Sequence, residues 1–260
     1  MLQQSIKSYI QQDLQTQYLL HLADNALILS HRNSQWCGHG PILEQDIALT
    51  NIALDQLGQA RNLYQYAALL ITEKTGIATT EDQLAYLRDV GEFKNCLLAE
   101  LPNGDWGQTV LRNFLMGSYQ FFLYQELQQS AIGQLKAIAE KSIKEITYHV
   151  RWSADWVLRL GDGTAESKGR MVQALELLWA YTGEMLEPCD YELPFIATQS
   201  SFIKAAWEAK IASVFSEASL VHPTNEWMQS GGKKGIHTEH LGYLLAEMQF
   251  LQRAYPGLEW

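Results

Sequence analysis

The sequence predicts an all-α protein: an antiparallel four-helix bundle with additional helices on its C-terminal side. Three observations predict it. Apolar residues recur at i, i+3 and i+4 through most of the 260 residues, and no stretch alternates with the period of two that marks a half-buried strand. Five of the six prolines, Pro41, Pro102, Pro188, Pro223 and Pro256, stand at the edges of these periodic stretches, where helices start and stop. Four of the stretches are long enough to lie side by side around one core.

The stretches fall at 14–33, 42–75, 81–90, 106–130, 132–161, 165–187, 200–219 and 238–254. In 14–33, Leu20, Leu27 and Ile28 mark an inward face. In 42–75, Ile47, Leu49, Ile52, Leu54, Leu57 and Leu63 point all round, which predicts a central helix packed on several neighbours. The short stretch 81–90 follows Thr80 with Gln83 three residues on, a capping-box pattern that satisfies orphan N–H groups. Phe114, Gly117, Phe121 and Tyr124 line the inward side of 106–130. The stripe of 132–161 runs from Leu135 through Ile138, Ala139, Ser142, Ile146, His149, Val150 and Ser153 to Val157 and Leu160. Gly161, Asp162 and Gly163 end it. Pro194 lies in the apolar connection 191–196. No linker or low-complexity tract divides the chain, so one domain over 1–260 is expected, with the bundle at about 14–161 and the extra helices at about 165–254.

Nineteen Lys and Arg stand against 29 acidic residues, a formal charge of -10. That balance disfavours phosphate-backbone binding, which needs clustered cations, and excludes a nucleic-acid partner. Cys37, Cys96 and Cys189 are odd in number and far apart, forming neither a disulfide framework nor a zinc site. The first residues, with Gln3, Gln4, Gln11, Gln12 and Asp13, lack the basic-then-apolar order of a signal peptide. No apolar run approaches a membrane span. A soluble, cytoplasmic protein with no membrane contact is expected.

Bundles of this architecture hold di-iron sites when two helices each give a carboxylate and two others each give a Glu-x-x-His pair. The chain comes close to that set and misses it. Asp24 sits on the inward face of 14–33. Asn51, Asp55, Gly58 and Asn62 form a polar line on 42–75, but Gly58 stands where the histidine should be. On 132–161, Glu145 and His149 are four apart rather than three, and Tyr148 takes the intervening ligand position. No carboxylate precedes Glu126 on the inward side of 106–130. A metal pair with so few anionic ligands would be poorly compensated. Buried polar residues bonded to one another, for instance Glu145 to His149 along the helix, are the preferred reading. No catalytic, cofactor-binding or metal-binding residue is therefore assigned. The rival is an unusual di-iron oxygenase with Asp24, Asp55, Glu145 and His149 as ligands, helped by Glu126.

Two further clusters carry possible chemistry. His237, Glu239 and His240 have ligand-type side chains, but Thr238 suits an N-cap with Glu239 in the favoured first turn. The run Gly231, Gly232, Lys233, Lys234 and Gly235 could meet a phosphate through backbone N–H groups and two lysines. It completes no P-loop, and a solvated loop is the simpler reading. No Gly-x-Ser-x-Gly nucleophile elbow occurs.

Two segments carry a resemblance. The first runs Gln35, Trp36, Cys37, Gly38, His39, Gly40, Pro41, through Glu44 and Asp46, into Asn51, Asp55, Gln56, Leu57, Gly58, Gln59, Ala60, Arg61 and Asn62. The second runs from Gly231 through His240 to Leu245, Glu247, Gln249, Pro256 and Gly257. Lys144, Glu145, Tyr148, His149, and Ala206, Trp207, Glu208 and Ala209 fit the same pattern between them. Together they resemble the structural, ferritin-like subunit of the phenylacetyl-CoA epoxidase complex, almost end to end. The resemblance implies a ferritin-like bundle in a complex that converts phenylacetyl-CoA to its ring 1,2-epoxide with dioxygen. It implies that the di-iron centre lies in a related catalytic partner, and that electrons come from a reductase with flavin and iron–sulfur groups. This chain would pair with that catalytic subunit and stabilise it, carrying no cofactor itself, with a second copy of itself as a further candidate contact; the second rival is a binding module whose Lys233 and Lys234 hold a CoA phosphate for the neighbouring subunit.

Overall fold

The computed structural model describes residues 2–223 and 227–258. All regular structure among them is helical. In chain order the helices are α1 (Leu2–Gln12), α2 (Leu14–Ser34), α3 (Leu43–Thr75), α4 (Glu81–Tyr86), α5 (Leu97–Glu100), α6 (Trp106–Leu127) and α7 (Gly133–Gly161). Then follow α8 (Ala165–Leu178), α9 (Gly183–Leu186), α10 (Leu193–Ile196), α11 (Ser200–Glu217), α12 (Glu239–Met248) and α13 (Phe250–Ala254). The hairpins α2–α3 and α6–α7 supply the four long antiparallel helices, and α3 meets α7 between them. Asn33 of α2 donates to Gln56 of α3 and Asn113 of α6, each at 2.9 Å, tying three of the four together inside the core.

The starts of these helices are chemically marked. Asp13 accepts from the Thr16 N–H at 2.7 Å ahead of α2, Asp105 and Gln108 form a capping box on α6, and Thr80 and Gln83 form the expected one on α4. Each cap satisfies donors that the first helical turn leaves open.

The central helices are not the expected ones. α2 is buried continuously from Tyr18 to Ser30 and α6 from Thr109 to Gln120. α3 buries Leu49, Ile52, Leu63 and Tyr64 against its neighbours, yet Leu43, Ile47, Leu54 and Leu57 of the same helix face outward. An apolar circumference shows that a helix is covered on several sides, but not that its own chain provides the cover.

Three expected helices are shorter or broken. The stretch 81–90 stops at Tyr86 because Arg88 turns into the interior. The stretch 165–187 breaks at 179–181, where Gly183 packs so closely on Met228 that a Cβ would lie 2.6 Å from it. The stretch 238–254 breaks at Gln249, whose amide turns in to donate to the Arg88 carbonyl at 3.0 Å. α8 and α11 lie on α6 and α7, and Trp207 of α11 donates its indole N–H to the Leu115 carbonyl of α6 at 3.0 Å.

Candidate functional site

Asp24 is fully buried in the middle of α2. Its Oδ1 accepts from the Tyr64 hydroxyl at 2.5 Å and from Arg88 Nη2, and its Oδ2 accepts from Arg88 Nη1 at 3.1 Å and the Lys94 N–H at 2.7 Å. Four donors on two oxygens use all the lone-pair directions a carboxylate offers. The Arg88 guanidinium also stacks on the Phe93 ring, 4.2 Å from its centroid. Burial alone would lower its pKa, but Asp24 and Tyr64 outweigh that and hold it above the usual arginine range.

Asp55, Glu145 and His149 meet across the α3–α7 contact, away from Asp24. His149 Nε2 lies 3.0 Å from Asp55 Oδ2, and Gln59 donates to Glu145 at 2.9 Å. Antiparallel register explains the pairing: residues four apart on α3, Asp55 and Gln59, face residues four apart on α7, His149 and Glu145. The expected bond between Glu145 and His149 along one helix is thus replaced by two bonds between helices. At Gly58, an added Cβ would meet nothing within 4 Å. Among the described residues no group of three or more His, Cys, Asp or Glu is placed to hold a metal ion. Asp24, Asp55, Glu145 and His149 do not fit a di-iron pair, because Asp24 is neutralised by buried Arg88 and the other three are paired elsewhere, across the α3–α7 contact.

The 231–240 segment is likewise turned inward. Lys233 is 1 % exposed, and its amine donates to Glu192 Oε2 at 2.8 Å and the Glu187 carbonyl at 3.1 Å. The N–H groups of Gly231 and Lys233, which could have cradled a phosphate, donate to the Glu184 carboxylate at 2.8 and 3.2 Å. Glu184 also accepts from the Leu97 N–H at 2.8 Å. Gly232 passes so near the Asn95 carbonyl that a Cβ would sit 2.3 Å from it. The segment is an internal strap, not a solvated loop, and only Lys234 of the two lysines is exposed. A cavity of about 1060 Å³ beside it is bordered by Lys204 and Lys234 but also by Glu187, Asp190 and Glu208, a poor setting for a phosphate.

Near the end of the strap, His237 and Thr238 both bind Glu100, which is fully buried. His237 Nδ1 lies 2.7 Å from Glu100 Oε2, its Nε2 lies 2.9 Å from the Phe93 carbonyl, and Thr238 donates N–H and hydroxyl to Oε1 at 2.7 and 2.9 Å. Thr238 holds the N-cap position of α12, as expected, but its hydroxyl serves Glu100 instead of the helix. Sequence reasoning missed Arg88, Glu100, Glu184 and Glu192. A single acid within an otherwise apolar run, as Glu100 is after Leu97, Leu98 and Ala99, was the one signal that pointed to any of them.

The segment 35–46 is also structural. Trp36 donates to Thr109 at 2.9 Å and stands edge-on to Trp106, while Trp152 and Trp156 both donate to Gln45, at 3.0 and 2.7 Å. Gly40 donates its N–H to Asp46 at 3.0 Å, closing the turn into α3.

The sequence pattern of the family described as "Phenylacetic acid catabolic protein" matches residues 3–260. The chain is 45 % identical over 249 residues to one of the subunits of the 1,2-phenylacetyl-CoA epoxidase of Escherichia coli (strain K12), covering 94 % of this chain and 98 % of that protein.

Proposed function

The chain belongs to the phenylacetic acid catabolic protein family, and we propose that it is the structural subunit of a phenylacetyl-CoA ring 1,2-epoxidase acting in phenylacetate degradation. It pairs with a related di-iron catalytic subunit and stabilises it, while a reductase with flavin and iron–sulfur groups supplies that subunit with electrons. The chain works as one domain in the cytoplasm and contributes no catalytic, metal or cofactor-binding residue of its own. The relative's name and the extent of identity support the assignment to this complex. The observation that carries the structural role is Asp24, whose carboxylate is saturated by Arg88, Tyr64 and the Lys94 N–H at the heart of the bundle. No described helix is long and apolar enough to cross a membrane.

Reconstitution tests the proposal. Phenylacetyl-CoA, dioxygen, reductase and catalytic partner are combined with and without this chain, and epoxide is measured. The expected result is turnover only when both chains are present, and none from this chain with the reductase alone. Epoxide formed without the catalytic partner would overturn it.

A further inference from the structure

The outward side of α3 carries a line of apolar residues that no described part of the chain covers. Leu43, Ile47, Leu54 and Leu57 are 72, 51, 60 and 40 % exposed. With Thr50 and Arg61 between and after them, they follow one another in alternating steps of four and three residues. That 3.5-residue repeat is the seam of a helix lying along a second long helix at a shallow crossing angle. α1, α2, α4 and α7 pack on the other sides of α3. Beside the seam, the space above Gly58 is open and would let a neighbouring backbone approach closely.

The flank of the seam decides among occupants. Glu44 and Asp55 of α3 border it, and on the facing α7 Asp55 contacts His149 at 3.0 Å while Glu145 accepts from Gln59, one turn along α3 from Asp55, at 2.9 Å. A chain of charge -10 with an acidic rim here is repelled by an anionic lipid surface. A second copy packing antiparallel about a two-fold axis would set this acidic flank against itself. A different chain with Lys or Arg on its helix flank meets neither objection.

We propose that the α3 seam is the surface on which a long helix of the catalytic subunit docks, its basic flank opposite Glu44, Asp55 and Glu145. This rests on the structural-subunit reading above and adds to it the face and the chemistry of its partner. Leu54 and Ile47 would fill the centre of the contact, where buried aliphatic side chains exclude water. The acidic rim would steer association.

The test is binding of the purified chain to the purified catalytic subunit, by titration and by mass in solution. Three variants are compared with the parent: the double variant Ile47→Glu, Leu54→Glu; Glu44→Lys; and Phe250→Glu on the exposed side of α13. The seam residues are exposed, so circular dichroism and melting temperature should match the parent. The double variant should bind at least about 100-fold more weakly, the scale of losing central contacts. Glu44→Lys should bind several-fold more weakly at low salt and recover at high salt, and Phe250→Glu should bind normally. If the parent fails to bind the partner at all, the structural-subunit reading falls. If the parent binds and the double variant binds equally well, only the seam falls. Should the double variant lose its fold, Glu44→Lys decides, and an unchanged affinity at low salt counts against the seam. Loss of a homodimer with the hetero-pair intact would also overturn it.

Discussion

Asp24, Glu100, Glu184 and Glu192 are all buried, and each holds a non-helical part of the chain in place. Burying an ionised carboxylate is costly unless charge and hydrogen bonds compensate it, so removing one partner is worse than never having the pair. Arg88→Ala, which strands Asp24, should lower unfolding free energy by ~3–5 kcal/mol in urea titration. The pair of His237 and Glu100 adds a pH dependence. Burial pulls the His237 pKa down, but the Glu100 hydrogen bond and charge, with the Phe93 carbonyl, overcome it and raise it above its ordinary 6.5. Its stabilising contribution is therefore complete below about pH 6.5 and is lost as pH climbs through the raised value. Melting temperature of the parent should fall from pH 6 to 9 more steeply than that of His237→Gln. His21 acts on the acid side: burial lowers its pKa despite Glu192, so stability falls as pH drops below 6.5. Asp24 was legible as an inward polar residue from its apolar neighbours. Arg88, 64 positions later, was not, because a buried ion pair leaves no periodic trace.

At the scale of elements, hydrophobic period and caps were enough to place the four long helices. The expected 14–33, 42–75, 106–130 and 132–161 correspond to Leu14–Ser34, Leu43–Thr75, Trp106–Leu127 and Gly133–Gly161. Where the expectation failed, a tertiary contact interrupts a run that is helical by pattern, as Gln249 does between α12 and α13. The capping box on α4 was readable because it is local. Thr80→Ala should cost about 1 kcal/mol, seen as a lower urea midpoint with unchanged slope. α3 shows the opposite limit, since its outward leucines follow the same helical period as buried ones. Only the fold separates Leu54, which is exposed, from Leu63, which is not.

In the whole molecule, the helical bundle is tied internally by buried carboxylates paired with arginine, tyrosine, lysine and histidine. The broken motif at Gly58 and the displaced one at Glu145 and His149 were visible in the sequence, since ligand spacing on a helix is local. The strap from Gly231 to Thr238, which joins α12 to the bundle through Glu184, Glu192 and Glu100, was not, because every partner is distant in the chain. The most direct measurement of whether this interior is structural is the iron content of the folded chain, produced alone in iron-replete cells. A bundle tied in this way should carry essentially no iron while remaining helical with a normal melting curve. About two irons per chain, the content of a complete di-iron site, would contradict it.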